Sequence, residues 1–151
     1  MTGADGRIRP QLLAGALALA LSPLLILHPV RITGRSMEPL LRDGQVRLAL
    51  RSWCAGRPRP GQVWIVRTPS GTAVKRLVAL PGAEVAIQDG ELRVNGQPRP
   101  EPYVSHPERG SAGPWFTGPG YFLLGDNRPE SHDSRAWGAL PAEALEGRIL
   151  E

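Results

Sequence analysis

Glycine and proline recur 18 and 16 times in a chain of 151 residues, and this punctuation constrains the fold more than any other feature. Glycine weakens helix and strand interiors, and proline lacks the N–H that a helix or a central strand needs. Beyond the N-terminal segment the expected architecture is therefore mainly β, with short antiparallel strands joined by many turns. The length suits one globular domain, and 41% hydrophobic residues supply a core. Partly apolar runs at 45–50, 62–67, 72–80, 84–88, 91–95 and 120–124 read as strands. Asp89-Gly90 is a two-residue hairpin signal, and Thr68-Pro69-Ser70-Gly71 a second turn. Residues 97–119 read as loop and 141–146 as a helical turn.

Arg7 and Arg9 precede an uncharged apolar run from Leu12 to Leu27 that continues through His28-Pro29 to Val30. At about 1.5 Å per residue, residues 12–30 would span roughly 30 Å, near the thickness of a hydrocarbon core. The expected organisation is a cytoplasmic segment at 1–11, a transmembrane anchor at 12–30 and a β-rich domain at 31–151. Basic residues before the span place the domain on the extracytoplasmic side of the cell membrane in a single pass. A cleavable secretory signal is one alternative, because Ala18-Leu19-Ala20 has the small-x-small form of a cleavage site. A buried amphipathic helix is another. Apolar residues continue well past Ala20, which favours the anchor, and Pro23 is tolerated in a membrane span.

The net charge of +4 fits either a solvated basic surface or attraction to anionic phospholipid head groups. No nucleic acid is expected as a partner, because no zinc-finger spacing, aromatic-basic sheet motif or helix-turn-helix pattern accompanies the charge. Cys54 is the one cysteine, so no intramolecular disulfide can form, and nothing near it in sequence activates the thiol. Three scattered histidines and one cysteine show no ligand spacing; no metal or organic cofactor is expected.

One detail of the basic residues carries chemistry. Of 18 lysines and arginines, Lys75 is the one lysine. Arginine holds its proton in proteins, whereas a buried lysine can release it. Lys75 lies in the apolar run Ala73–Leu80, where period-2 alternation puts it on a face with Ala73, Leu77 and Ala79. Desolvation there favours the neutral amine, which is what a general base requires. An edge-strand lysine that discourages aggregation is the alternative reading. Ser36 follows Gly34 and precedes Pro39, so a stiff turn can present its hydroxyl and its own N–H together as nucleophile and oxyanion donor; a purely structural serine in a glycine-containing loop is the alternative reading.

Ser36-Met37-Glu38-Pro39 resembles the nucleophile box of type I signal peptidases. Lys75-Arg76-Leu77-Val78-Ala79-Leu80-Pro81-Gly82 resembles their lysine box. Residues 125–135, from Gly125-Asp126-Asn127 to Asp133-Ser134-Arg135, resemble their C-terminal box, followed by the usual Gly138. Three boxes in the right order span most of the chain. The resemblance implies a small signal-peptidase-like β domain that cleaves signal-peptide-bearing preproteins with a Ser–Lys dyad. In that reading Ser36 attacks the scissile carbonyl, Lys75 takes its proton, and the Ser131 hydroxyl holds the lysine amine. Asp126, Asp133 and Arg135 form a charged scaffold beneath. Gly34 stands where some members carry a second, side-chain oxyanion donor. Leu40, Ala79, Ala83, Gln45 and Gln62 depart from the usual family residues, and none of them is a reacting group.

Other readings use the same residues. A Ser–His–Asp triad could draw on His106, His132 and Asp133, but adjacent His132 and Asp133 make triad geometry awkward. Self-cleaving repressors would need a DNA-binding module where this chain has an apolar span. Dedicated maturation peptidases for pilin or nickel superoxide dismutase precursors, and a catalytically silent membrane-tethered binding domain, also fit the pattern.

Overall fold

The computed structural model describes residues 25–151. Two antiparallel sheets build the domain. The larger has the order β1-β2-β10-β3-β4-β9, formed by Leu27–Arg31, Val46–Arg51, Leu145–Ile149, Val63–Thr68, Gly71–Ala79 and Phe122–Leu124. The smaller has the order β7-β6-β5-β8, formed by Gln97–Pro98, Glu91–Val94, Glu84–Gln88 and Ala112–Phe116. After β1, a short helix, α1 (Ser134–Trp137), and three 3-10 turns complete the described residues. The mainly β reading holds.

The expected strands from β2 to β6 and β9 form within two residues of their predicted bounds. Asp89 and Gly90 both take positive φ, 50° and 84°, as a two-residue hairpin of the type I′ kind demands. Three elements differ from expectation.

The first concerns residues 27–30, read above as the end of a membrane span. They belong to strand β1, paired with β2 from Leu27↔Leu50 to Arg31↔Val46. β1 is an edge strand, the one place in a sheet where Pro29 costs no ladder hydrogen bond. The rest of the expected anchor, up to residue 24, lies outside the described residues, as does the segment 1–11. Among the described residues no helix is long and apolar enough to cross a membrane.

The second difference is within 97–119, expected as loop. It contributes β7 and β8. Gly113-Pro114 hides β8 in the sequence. The pairing absorbs it through a register shift between Val85 and Ile87, with Gly113 at φ 96°. Trp115 then sits opposite Val85 and packs on Phe122, ring centroids 5.6 Å apart. Third, only Ala142–Ala144 of the expected helical turn is helical, and Leu145–Ile149 enters the centre of the large sheet between β2 and β3. Gly147 permits this, because a Cβ there would stand 2.8 Å from the Leu50 carbonyl oxygen.

Core packing fixes the segment after β1. Ile32, Met37 and Leu41 are buried against Ala49, Val63, Ile65 and Ile149. Burying side chains of this size stabilises by about 1.5–3 kcal/mol each. The residues between them, Ser36 among them, are held to the sheet by both flanks.

Candidate active site

The turn carrying Ser36 is set by Gly34, whose φ is 85° and whose N–H donates to Asp43 Oδ1 at 2.8 Å. Backbone bonds from Glu38 N–H to Arg35 O (3.1 Å) and Leu41 N–H to Met37 O (2.9 Å) tighten it. Asn127 clamps it from the far end of the chain: its N–H donates to Ser36 O at 3.0 Å, and its side-chain amide to Arg35 O at 3.2 Å. Gly125 lies where the two loops cross. A Cβ added there would stand 2.6 Å from Ser36 O and 2.2 Å from Ser131 Oγ.

Lys75 projects from β4, opposite Trp64. It is 4% exposed, and its Nζ lies 2.7 Å from Ser36 Oγ. Thirty-nine residues separate the two in sequence. Ser36 itself is half-buried, whereas Lys75 is buried. Burial is the largest influence on the amine and lowers its pKa. Asp133 opposes that, Arg135 reinforces it and Asp126 opposes it; the net direction is below the ordinary 10.5. The predicted companions divide at the β4–β9 bulge. Ala73 and Leu77 stay in one cluster with Trp64, whereas Ala79 moves to another after the register shift between Leu77 and Ala79.

The charged residues form two ion pairs rather than one scaffold. Asp133 accepts from Arg135 Nε and Nη2 at 2.8 and 2.9 Å, and from Gly125 N–H at 3.0 Å. Burial alone would raise the Asp133 pKa; the hydrogen bonds from Arg135 and Gly125 outweigh it and hold the carboxyl below its usual range. Asp126 pairs instead with Arg76, Nε to Oδ1 at 2.8 Å and Nη2 to Oδ2 at 2.7 Å, with both side chains at 5% exposure or less. This bidentate geometry fixes the strand that carries Lys75 to the loop that carries Asn127. Ser131 Oγ is buried against Gly125, close enough to Asp133 to help lower its pKa, and among the described residues it makes no hydrogen bond of good geometry. The hydrogen bond that Lys75 Nζ makes among the described residues is the one to Ser36. His106 and His132 are exposed, and Asp133 is engaged by Arg135 rather than by a histidine, so no triad assembles.

Arg76, Asn127 and Arg128 were not singled out from the sequence. Arg76 carried a signal, since it is the second charge in an otherwise apolar run. A model of the signal peptidase family, peptidase S26, matches residues 7–150 of this chain. The chain belongs to that family. Signal peptidase IB of Staphylococcus aureus is 30% identical over 145 residues, covering 82% of this chain and 76% of that protein. The chloroplastic thylakoidal processing peptidase 1 of Arabidopsis thaliana is 33% identical over 138 residues, covering 82% of this chain and 41% of that one. A crystal structure of a signal peptidase I from Enterococcus faecalis is similar at a TM-score of 0.53 and 27% identity, covering 63% of this chain and 97% of that chain. Membership in the S26 signal peptidases makes this chain a serine endopeptidase that cleaves signal peptides.

Proposed function

We propose that this signal peptidase works as a membrane-anchored Ser–Lys enzyme on exported preproteins, with Ser36 as nucleophile and Lys75 as general base. The 2.7 Å separation of Nζ and Oγ, with the amine buried, carries this reading. A neutral Lys75 accepts the Ser36 proton as Oγ adds to the scissile carbonyl. The ammonium so formed returns the proton to the leaving amine, and a water activated in the same way releases the acyl-enzyme. Ser36 N–H is positioned by its own turn to donate to the developing oxyanion. The Gly34 N–H is taken by Asp43, so a second donor has to come from elsewhere. Ser131 acts once Lys75 turns during the cycle, when its unpaired hydroxyl can accept from Nζ.

The anchor is the apolar run that begins at Leu12 and ends before β1, most of it ahead of the described residues. Support comes from the surface beside its exit. Leu25, Val46, Leu48 and Trp53 are exposed by 67, 61, 49 and 70%. Cys54 contacts the Ile26 carbonyl oxygen, which seats the Trp53 turn beside the emerging chain. Interfacial aromatic and aliphatic side chains suit a bilayer surface. Phe116 is exposed as well, whereas Trp64 is core and Trp115 packs on Phe122. A cleft of about 260 Å³ beside the nucleophile, lined by Arg35, Pro39, Arg42, His106 and Asn127, offers room for polypeptide flanking the scissile bond.

Purified full-length protein in lipid vesicles is incubated with signal-bearing precursors and one pilin-type precursor, and product N-termini are sequenced. Cleavage after the signal region, abolished by Ser36→Ala, is the expected result. Equal processing by Ser36→Ala would refute the nucleophile assignment, and cleavage of the pilin-type precursor alone would show a dedicated peptidase.

A further inference from the structure

Residues 101–108 contain no regular secondary structure, yet they are tied to the site at four places. Glu101 Oε1 accepts from Arg128 Nη2 at 2.5 Å, with those side chains 9% and 1% exposed. Tyr103 lies under the Arg76 guanidinium, 4.0 Å from ring centroid to Cζ, and its hydroxyl donates to Glu101 at 3.0 Å. His106 bridges Asn127 through the backbone. Glu108 accepts from Arg135 Nη1 at 2.5 Å. The three arginines reached in this way each hold part of the site. Arg76 grips Asp126. Arg128 donates to the Gly125 carbonyl oxygen at 2.9 Å. Arg135 holds Asp133 and also donates to the carbonyl oxygens of Arg128 and Ser131. Buried guanidiniums need carboxylate partners, and the structure supplies two of these from a loop outside every catalytic box.

We propose that the 101–108 segment is the electrostatic backing of the site, and that Glu108 is a positioning residue that fixes Arg135 and so controls the charge around Lys75. The proposal rests on the Ser36–Lys75 reading for its effect on rate, though not for its effect on Lys75 itself. The charges acting on Lys75 are Asp133, Arg135 and Asp126. Behind them stand Arg76, Arg128, Glu101, Tyr103, Glu108 and the C-terminal Glu151, which lies 3.5 Å from Arg76. His106 and His132 are at the surface. Arg135 disfavours the ammonium, and Glu108 offsets that positive charge. Removing the Glu108 carboxylate therefore makes Lys75 easier to deprotonate.

The test uses full-length protein with Glu108→Gln, Glu108→Lys and Glu108→Asp. Glu108 has 32% side-chain exposure, which leaves room for these replacements. Each variant is read as a pH–rate profile of kcat/KM and as an NMR titration of side-chain-labelled lysine, which reports Lys75 alone because the chain has no other lysine. The acid limb and the titration are expected to move to lower pH by roughly half a unit in Glu108→Gln and about twice that in Glu108→Lys, the scale of one and two charges at protein dielectric. Glu108→Asp should stay near the parent. A rate that falls equally at every pH, with the lysine titration unmoved, overturns the proposal and leaves Glu108 a structural tie. A titration that moves while the rate profile does not keeps the backing role and refutes Lys75 as the base.

Discussion

Gly125→Ala tests whether the contact between the two loops sets the position of Ser36. The added methyl would stand 2.6 Å from Ser36 O, against an ordinary contact of 3.4 Å, so the backbones must part by about 0.8 Å. Rotating the Ser131 side chain moves its Oγ away, but the Ser131 Cβ, at 2.5 Å, and the Ser36 carbonyl oxygen have no such freedom, so both loops must shift. Movement there also strains the Asn127 N–H bond to Ser36 O, now 3.0 Å. Overpacking of this kind costs about 1–3 kcal/mol of stability. Displacing a reacting group by nearly 1 Å costs on the order of 100-fold in rate. The assay is kcat/KM on a signal-peptide substrate, with urea unfolding of the same preparation. A folded variant keeping more than half of the parent activity would show that the crossing at Gly125 does not position Ser36.

Other perturbations address separate parts of the site. Lys75→Arg keeps the charge and removes the neutral base, so precursor cleavage should fall by about 1,000-fold or more. Ser131→Ala removes a hydroxyl that lies beside Asp133 without a hydrogen bond of good geometry among the described residues, so stability should change little and the loss of kcat should be smaller than that of Lys75→Arg. Asp133→Asn leaves Arg135 without its main carboxylate and should cost about 3–5 kcal/mol in denaturant unfolding at neutral pH. Because the folded Asp133 pKa lies below its unfolded value of 3.8, its stabilisation is complete above that value and is lost as pH falls through the folded pKa. Unfolding midpoints of parent and Asp133→Asn should therefore draw together as pH falls from 3.8 through the lower folded-state value.

Ser36 and Lys75, the residues proposed to react, could be picked from the sequence through the family boxes that contain them, and their local settings agree with that choice. A lone lysine in an apolar strand and a serine in a Gly/Pro-stiffened turn keep those properties wherever the chain places them. The short hairpin at Asp89-Gly90 could be read directly, since its turn residues dictate the backbone locally. Residues whose role depends on distant partners could not be read in this way. The role of Arg76 depends on Asp126, 50 residues away, which closes a buried pair with it. Glu101, Tyr103 and Glu108 sat in a Pro/Gly-rich stretch with no periodicity, and their meaning comes entirely from the arginines they meet. β10 alternates correctly but contains Gly147, and only the close approach of Leu50 explains why glycine belongs there. The apolar run misled at its end, because hydropathy does not distinguish the last turn of a span from an edge strand that begins at Leu27.

The side-chain NMR titration of the parent protein reports directly on the buried amine 2.7 Å from Ser36. A single resonance titrating below 10.5, and tracking the rise of kcat/KM with pH, is the predicted result. A lysine that stays protonated up to or beyond 10.5 while the enzyme is already fully active would contradict the Ser36–Lys75 mechanism.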